Sequence, residues 1–333
     1  MKHRPSTQRA NAEPQTPAAY RPIEQLLPVH WRAEWVVANG IRQHLYRTGG
    51  NKPPLVLLHG FMESGLTWLR MAKALEASYD VILPDARAHG RSDRPGTPLT
   101  PELLAEDAGA LIRTLGLERP ILFGRSNGAV TAVLVAAAQP EPARAIILEE
   151  PPLGGMPRPN VKPGAQGGGN WFADWLGWIQ SLSQRPHAER IAAAAARWPH
   201  GTPVLPDEPI WPEAEFVPWV EALAQFDTTV FERKISFWSL APYLENIAQI
   251  PCPILLMAGN PLHGSLVAEG VEEMPAWQGR TVVRFDQAGH FVSRGRTYLA
   301  CLEGVRTFLN EQVHARQHTN ETRRGRHNQA SGR

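Results

Sequence analysis

Apolar and polar residues alternate in two short early segments, Ala33–Val37 and Ile41–Tyr46, on either side of Asn39-Gly40. Alternation around an Asn-Gly pair predicts a β-hairpin, because both central turn positions need positive φ. Beyond it the rhythm changes. Short, almost continuously apolar runs recur at Leu55–Leu58, Val81–Leu83, Ile121–Phe123, Ala145–Leu148, Ile254–Met257 and Thr281–Phe285, each followed by Gly, Pro or a polar residue. Runs of this length with β-branched residues predict strands buried on both faces. Helical stretches lie between them. Pro101–Leu115 opens Thr-Pro-Glu, which supplies an N-cap, a proline in the first turn and an acidic group there. Alternation of strand and helix predicts an α/β fold, a mostly parallel sheet with flanking helices. No internal repeat is visible, which argues against a solenoid or propeller.

The alternation breaks between about Pro152 and Leu240. This stretch opens with a Pro/Gly-rich loop, Pro151 to Gly169, and holds seven of the eleven tryptophans, at 171, 175, 178, 198, 211, 219 and 238. An Ala-rich run, Ile191 to Trp198, is helical in character. The expected organisation is a flexible leader over 1–30, a core over 31–152 and 240–313, and an inserted helical cap over 153–239. Residues 314–333 form a disordered basic tail. Trp171, Trp175 and Trp178 recur at helical spacing and share one face. That stripe packs cap against sheet, or it offers an aromatic wall to an apolar substrate.

Composition narrows the classes. The 43% apolar and 20% charged residues of this 333-residue chain belong to a globular protein. Net charge is +2, but residues 314–333 carry five Arg against one Glu, so the rest of the chain is slightly acidic. A basic nucleic-acid face on the folded body is therefore not expected. Cys252 and Cys301 each sit in an apolar run and read as buried free thiols. The leader has no apolar signal-peptide core, and the longest apolar run, Ala129 to Ala138, is too short to cross a bilayer. A cytoplasmic location is the default expectation.

The sharpest chemical signal is Gly124-Arg125-Ser126-Asn127-Gly128. It follows an expected strand and precedes a helix beginning near Ala129. A serine on a tight strand-to-helix turn projects its hydroxyl above the strand ends, and small neighbours let other backbone approach. The helix N-terminus behind it favours developing negative charge. No set of His, Cys and carboxylates has metal-ligand spacing, and no phosphate-binding loop is present, so no metal or cofactor is expected.

With His59-Gly60-Phe61, the segment Asp85 to Ser92 and Gly289-His290-Phe291, this pentapeptide makes the chain resemble α/β-hydrolase-fold serine hydrolases, from about Ala33 to Val313. Ala88 and Ala129 stand where relatives often have Gly, and Arg125 where many have His. The resemblance implies Ser126 as nucleophile, His290 as general base, and the backbone N–H groups of Phe61 and Asn127 as oxyanion donors. Gly60, Met62 and the tryptophans 171, 175 and 178 are then expected to contact substrate. Many members place the acid after the strand that corresponds to Ile254–Met257, but there this chain reads Ala258-Gly259-Asn260. A second group places it after the strand that follows the nucleophile helix. That position holds Glu149-Glu150, with Glu150 the better match and Glu149 the alternative.

Each role has a bland rival. His59 is expected to fasten the oxyanion loop, and Asp85, Arg87, His89 and Arg91 to form a loop-fastening network. Glu63 is expected on a solvated loop. The implied activity is hydrolysis of a small-molecule ester or lactone through an acyl-enzyme. Amide or carbon–carbon bond hydrolysis and acyl transfer are alternatives on the same machinery, and a non-catalytic receptor is a more distant one. Epoxide- and halide-processing relatives use Asp where Ser126 stands. Oligomeric state is not encoded in any visible motif.

Overall fold

Asn39 and Gly40 both adopt positive φ, 50° and 76°, and close the predicted hairpin between β1 (Arg32–Ala38) and β2 (Ile41–Arg47). The other predicted strands follow as β3 (Pro54–Leu58), β4 (Asp80–Pro84), β5 (Ile121–Arg125), β6 (Ala145–Glu149), β7 (Ile254–Gly259) and β8 (Thr281–Phe285). Together they form one eight-stranded sheet, ordered β1-β2-β4-β3-β5-β6-β7-β8. The hairpin runs antiparallel and β3 to β8 are mutually parallel. The computed structural model describes residues 20–94, 96–138, 143–153, 171–197, 211–232 and 241–314.

Helices in chain order are α1 (Ile23–Leu26), α2 (Leu69–Leu75), α3 (Pro101–Thr114), α4 (Asn127–Ala138), α5 (Trp171–Ser183), α6 (His187–Arg197), α7 (Glu213–Gln225), α8 (Ala241–Gln249) and α9 (Tyr298–Phe308). The Thr100 hydroxyl caps α3 by accepting the Leu103 N–H at 3.2 Å. Successive strand side chains point to opposite faces, so the core divides into two layers. Leu55, Leu57, Phe123, Ile147 and Met257 face one layer with residues of α2, α7 and α9. Val56, Leu122, Ile146, Leu148 and Leu256 face the other, against residues of α3, α4 and α8. Cys252 and Cys301 are buried free thiols, as expected.

Three expectations are corrected. Strand β8 is not buried on both faces: only Phe285 is fully covered, because β8 closes the edge of the sheet. The Ala-rich helix begins at His187, four residues before the apolar run, and its polar first turns are held by His187 and Arg190 on Glu221. Residues 20–30 are not all a flexible leader. Ile23 and Leu26 are buried in the core, and the Tyr20 hydroxyl donates to the Trp211 carbonyl at 2.9 Å. Apolar side chains in that segment find the surface of α7 and dock there. The earlier leader, most of the Pro/Gly-rich loop, Trp198, Trp238 and the basic tail after His314 lie outside the described residues.

The strand order reverses at β3, whose neighbours are β4 and β5. In open α/β sheets, ligands bind beyond the carboxyl ends of strands at such a switch point. The turns after β3 and β5 carry Gly60–Glu63 and Ser126.

Docking of residues 20–26 should be measurable. Leu26→Ala is expected to lower stability by about 2 kcal/mol or more, and Tyr20→Phe by about 1 kcal/mol. Both are read from denaturant midpoints; unchanged midpoints in both variants would return this segment to the leader.

Candidate active site

Strand β5 ends at Arg125 and α4 begins at Asn127, leaving Ser126 alone between them at φ 53°. The Ser126 N–H donates to the Glu149 carbonyl at 2.8 Å, and Ala129 N–H returns to the Ser126 carbonyl at 3.0 Å. The turn is thus fixed to β6 on one side and to its own helix on the other. Glycine is required on both flanks. A Cβ on Gly128 would fall inside the carbonyls of Leu58 and His59, and one on Gly124 inside the carbonyl of Gly128. Met62 and Glu150 also hold positive φ, 64° and 50°. Each such residue costs of the order of 1–3 kcal/mol, and strain of this kind gathers at functional sites.

Glu150 is completely buried. Its Oε1 accepts from the Gly259 N–H and the Ser265 hydroxyl, each at 2.6 Å, and its Oε2 from the Leu266 N–H at 2.7 Å. The same Oε2 stands 3.5 Å from Nδ1 of His290. That separation is long for a hydrogen bond, yet Nδ1 is buried and has no closer partner among the described residues. Catalytic hydrogen bonds are often loose before substrate binds. Although Glu150 starts from β6, its carboxylate lies at the end of β7, where the commoner family pattern has its acid. Asn260 has other work: its Oδ1 accepts the Leu262 N–H at 2.9 Å and caps a short turn.

Glu149 faces elsewhere. Its Oε1 accepts the Ser293 N–H at 2.8 Å, and burial, only partly offset by Arg125, pushes its carboxyl above the usual range. Glu63 is not solvated, contrary to expectation. One oxygen accepts from Gly60 N–H at 2.8 Å and from the Arg125 guanidinium, the other from Arg294 at 2.7 Å. Burial pushes the Glu63 carboxyl up, but the two guanidinium groups outweigh it and hold it well below the carboxylate range. A lone Glu between Met62 and Ser64 gives no such signal in sequence, because both cations come from distant segments.

The turn Gly60–Glu63, closed by Glu63 N–H on the Gly60 carbonyl at 3.2 Å, carries Phe61 and Met62. Leu58 pairs with Gly124 in parallel register, so Phe61 and Asn127 stand at the same end of neighbouring strands. His59 behaves as expected. Its Nε2 accepts from Ala86 N–H at 3.0 Å, which leaves Nδ1 to donate to the Gly60 carbonyl at 2.8 Å. Burial lowers its pKa and, joined by His59, holds that of His89 at about 3. Asp85 accepts from His44, Gly65 N–H and Arg91 N–H. Arg87 forks onto Asp107 at 2.5 and 2.7 Å. Arg91 joins this network through its backbone; its side chain is exposed.

Above Phe61 stand rings from the insertion. Phe61 meets Phe226 and Phe231 edge-on, at 5.1 and 5.9 Å between centroids, and Phe231 meets Trp175 at 6.1 Å. Trp178 lies instead under the Arg197 guanidinium at 4.9 Å, and the Trp171 side chain is outside the described residues. The fully buried side of α5 is made by Ile179 and Leu182. Phe226 and Phe231 were missed in the sequence because they lack the regular spacing of the tryptophans. Among the described residues no cluster of His, Cys and carboxylates could hold a metal, and no helix is long and apolar enough to cross a membrane.

The N-formylmaleamate deformylase of Pseudomonas putida is 35% identical over 124 residues, 37% of this chain and 46% of that protein. The chain's matches span less than half the length of its curated relatives. Among solved structures, the N-formylmaleamic acid deformylase of Pseudomonas putida S16 has a TM-score of 0.62 at 21% identity, covering 81% of this chain and 99% of that one. A Bacillus subtilis carboxylesterase has a TM-score of 0.59 at 19% identity, covering 86% and 93%. These structures share the fold. The family model described as alpha/beta hydrolase fold matches residues 53–294, a span that holds the Ser126 turn, Glu150 and His290, and the chain therefore belongs to the alpha/beta hydrolase family.

Proposed function

We propose that this chain hydrolyses a small-molecule carboxylic ester or lactone through a covalent acyl-enzyme on Ser126. The observation that carries the reading is the buried Glu150 carboxylate, held by three donors and 3.5 Å from His290 Nδ1. A carboxylate in that position fixes the imidazole tautomer that leaves Nε2 free to take a proton. Ser126 Oγ then attacks the carbonyl carbon as His290 removes its proton. The oxygen's developing charge is met by the N–H groups of Phe61 and Asn127, a donor of this kind contributing about 3–4 kcal/mol to the barrier. Collapse expels the alcohol, which takes the proton from His290. Water repeats the sequence on the acyl-enzyme and frees Ser126. The scheme calls on no cofactor.

Residues 153–239 act in this reading as a cap, and Gly60, Met62 and Trp175 line the cleft beneath it. The rings of Phe61, Phe226, Phe231 and Trp175 favour an apolar or aromatic acyl or alcohol group. Similarity to an N-formylmaleamate deformylase favours a second reading, hydrolysis of an N-acyl bond, in which His290 protonates a nitrogen leaving group.

A fluorophosphonate is expected to label Ser126 in the intact protein. Ser126→Ala should abolish labelling and turnover of a simple aryl ester while the fold survives, and His290→Ala should lose a similar factor. Near-normal turnover by folded Ser126→Ala would remove the nucleophile from this scheme.

Exchange at the acid separates the neighbours. Glu150→Gln should lower kcat by about two orders of magnitude or more, since the corresponding change in serine proteases costs about four. Glu149→Gln should cost much less, because the Glu149 carboxylate is bound to Ser293 N–H and not to His290. Asn260→Ala should also stay active. A dead Glu149→Gln beside an active Glu150→Gln would reverse the assignment.

Across esters of increasing acyl length, kcat/KM should rise before steric exclusion, each methylene contributing at most about 1–3 kcal/mol. A flat series would leave the aromatic roof without a role in selection. Matched amides, run in parallel, decide between the two readings of the scissile bond.

A further inference from the structure

Beneath the proposed catalytic groups lies a second set of residues, offset from them by one to four positions in the chain. Glu63 follows Phe61, Arg125 precedes Ser126, Glu149 precedes Glu150, and Arg294 follows His290. All four are at most 4% exposed. Glu63 binds the backbone of Gly60, the Arg125 guanidinium and, through its other oxygen, Arg294. Arg125 reaches on to the Ser293 hydroxyl at 3.2 Å and the Thr67 hydroxyl at 3.1 Å. Ser293 N–H donates to Glu149 at 2.8 Å. The Phe291 ring, next to His290, has the two guanidinium carbons 5.9 and 5.0 Å from its centre.

Each loop that bears a proposed catalytic group is thus tied to the other three through one buried layer of hydrogen bonds and ion pairs. Packing alone does not call for this arrangement, since buried ion pairs are often no more stabilising than apolar residues of similar volume. Their directional, fork-shaped bonds do fix relative position. A carboxylate that must satisfy Gly60 N–H and two guanidinium groups at once permits little sliding of the oxyanion turn past β5 or the His290 loop.

Resting on the serine-hydrolase reading above, we infer that Arg125, with Glu63 and Arg294, is a positioning residue that holds the Phe61 turn, Ser126 and the His290 loop in reactive register. Arg125 touches no reacting atom in this scheme. It acts through the backbones it joins.

The test uses the whole chain with Arg125→Met, Arg125→Lys and Arg294→Met. Either loss of an arginine still leaves Glu63 with one cationic partner. Thermal midpoints are measured first, and kinetics are then run well below each of them. Turnover of an aryl ester and the rate of Ser126 labelling by a fluorophosphonate should fall by about thirtyfold or more in Arg125→Met, with KM within about threefold, as expected for reacting groups displaced by a fraction of an ångström. Arg125→Lys restores the charge without the fork and should recover only part of the rate. Should Arg125→Met fail to fold, Arg294→Met decides, with a smaller loss of the same kind.

A stabilising role alone would move the midpoints and leave kcat and labelling within about twofold of wild type. That result, in a wild type whose Ser126 is labelled normally, overturns the positioning role and leaves the nucleophile reading intact. Absence of Ser126 labelling in an active wild type overturns the nucleophile reading and, with it, this inference.

Discussion

A carboxylate taken out of water must find donors or give up its charge, and three of them, Glu63, Glu149 and Glu150, lie buried at the carboxyl edge of this sheet. Each meets the requirement differently. Glu150 collects N–H groups and a hydroxyl from the end of β7 and keeps one oxygen toward His290. Glu63 takes two arginines and a backbone amide. Glu149 is bound by Ser293, and burial, only partly offset by that bond and by Arg125, pushes its carboxyl above the usual range. Adjacent glutamates on one strand end therefore turn to different partners, one to the end of β7 and the other to Ser293.

The strands and the Ser126 turn were legible because their signals are local. Apolar runs, an Asn-Gly turn and closely placed glycines each constrain the backbone near themselves, and the sheet reproduces them. Glu150 was legible only through its place relative to β6 and the missing acid at Asn260. What the chain does not advertise is long-range pairing. Glu63 meets Arg125 and Arg294, far away in sequence, and nothing in the segment around residue 63 distinguishes it from a solvated loop. Docking of Tyr20, Ile23 and Leu26 escaped for a similar reason: three apolar residues spaced by three make too short a pattern in a Pro-rich stretch, and their partner surface on α7 exists only once the insertion has folded. Strand β8 shows the reverse error, since apolar composition says nothing about whether a neighbour stands on both sides.

The insertion is also joined to the body more closely than a simple appended layer would be. The N–H of Asp227 donates to the Ala88 carbonyl at 3.0 Å, and Arg94 reaches the Gln225 carbonyl at 2.6 Å. Ala88 holds φ 64° there, which gives a physical reason for the glycine that relatives often have and shows that one methyl group is tolerated. Ring contacts from Phe61 through Phe231 to Trp175 continue the same attachment over the site.

Where the chain leaves β6 for the insertion, Leu153 forms a parallel bridge with Val267, donating to the Leu266 carbonyl at 3.0 Å and accepting from Ala268 N–H at 2.9 Å. The same short loop supplies Ser265 and Leu266 to Glu150. The start of the insertion and the donors of Glu150 are therefore stitched into one pair of backbones. A single seam thus serves two ends: the backbone that anchors the outgoing chain is the one that pins the carboxylate facing His290.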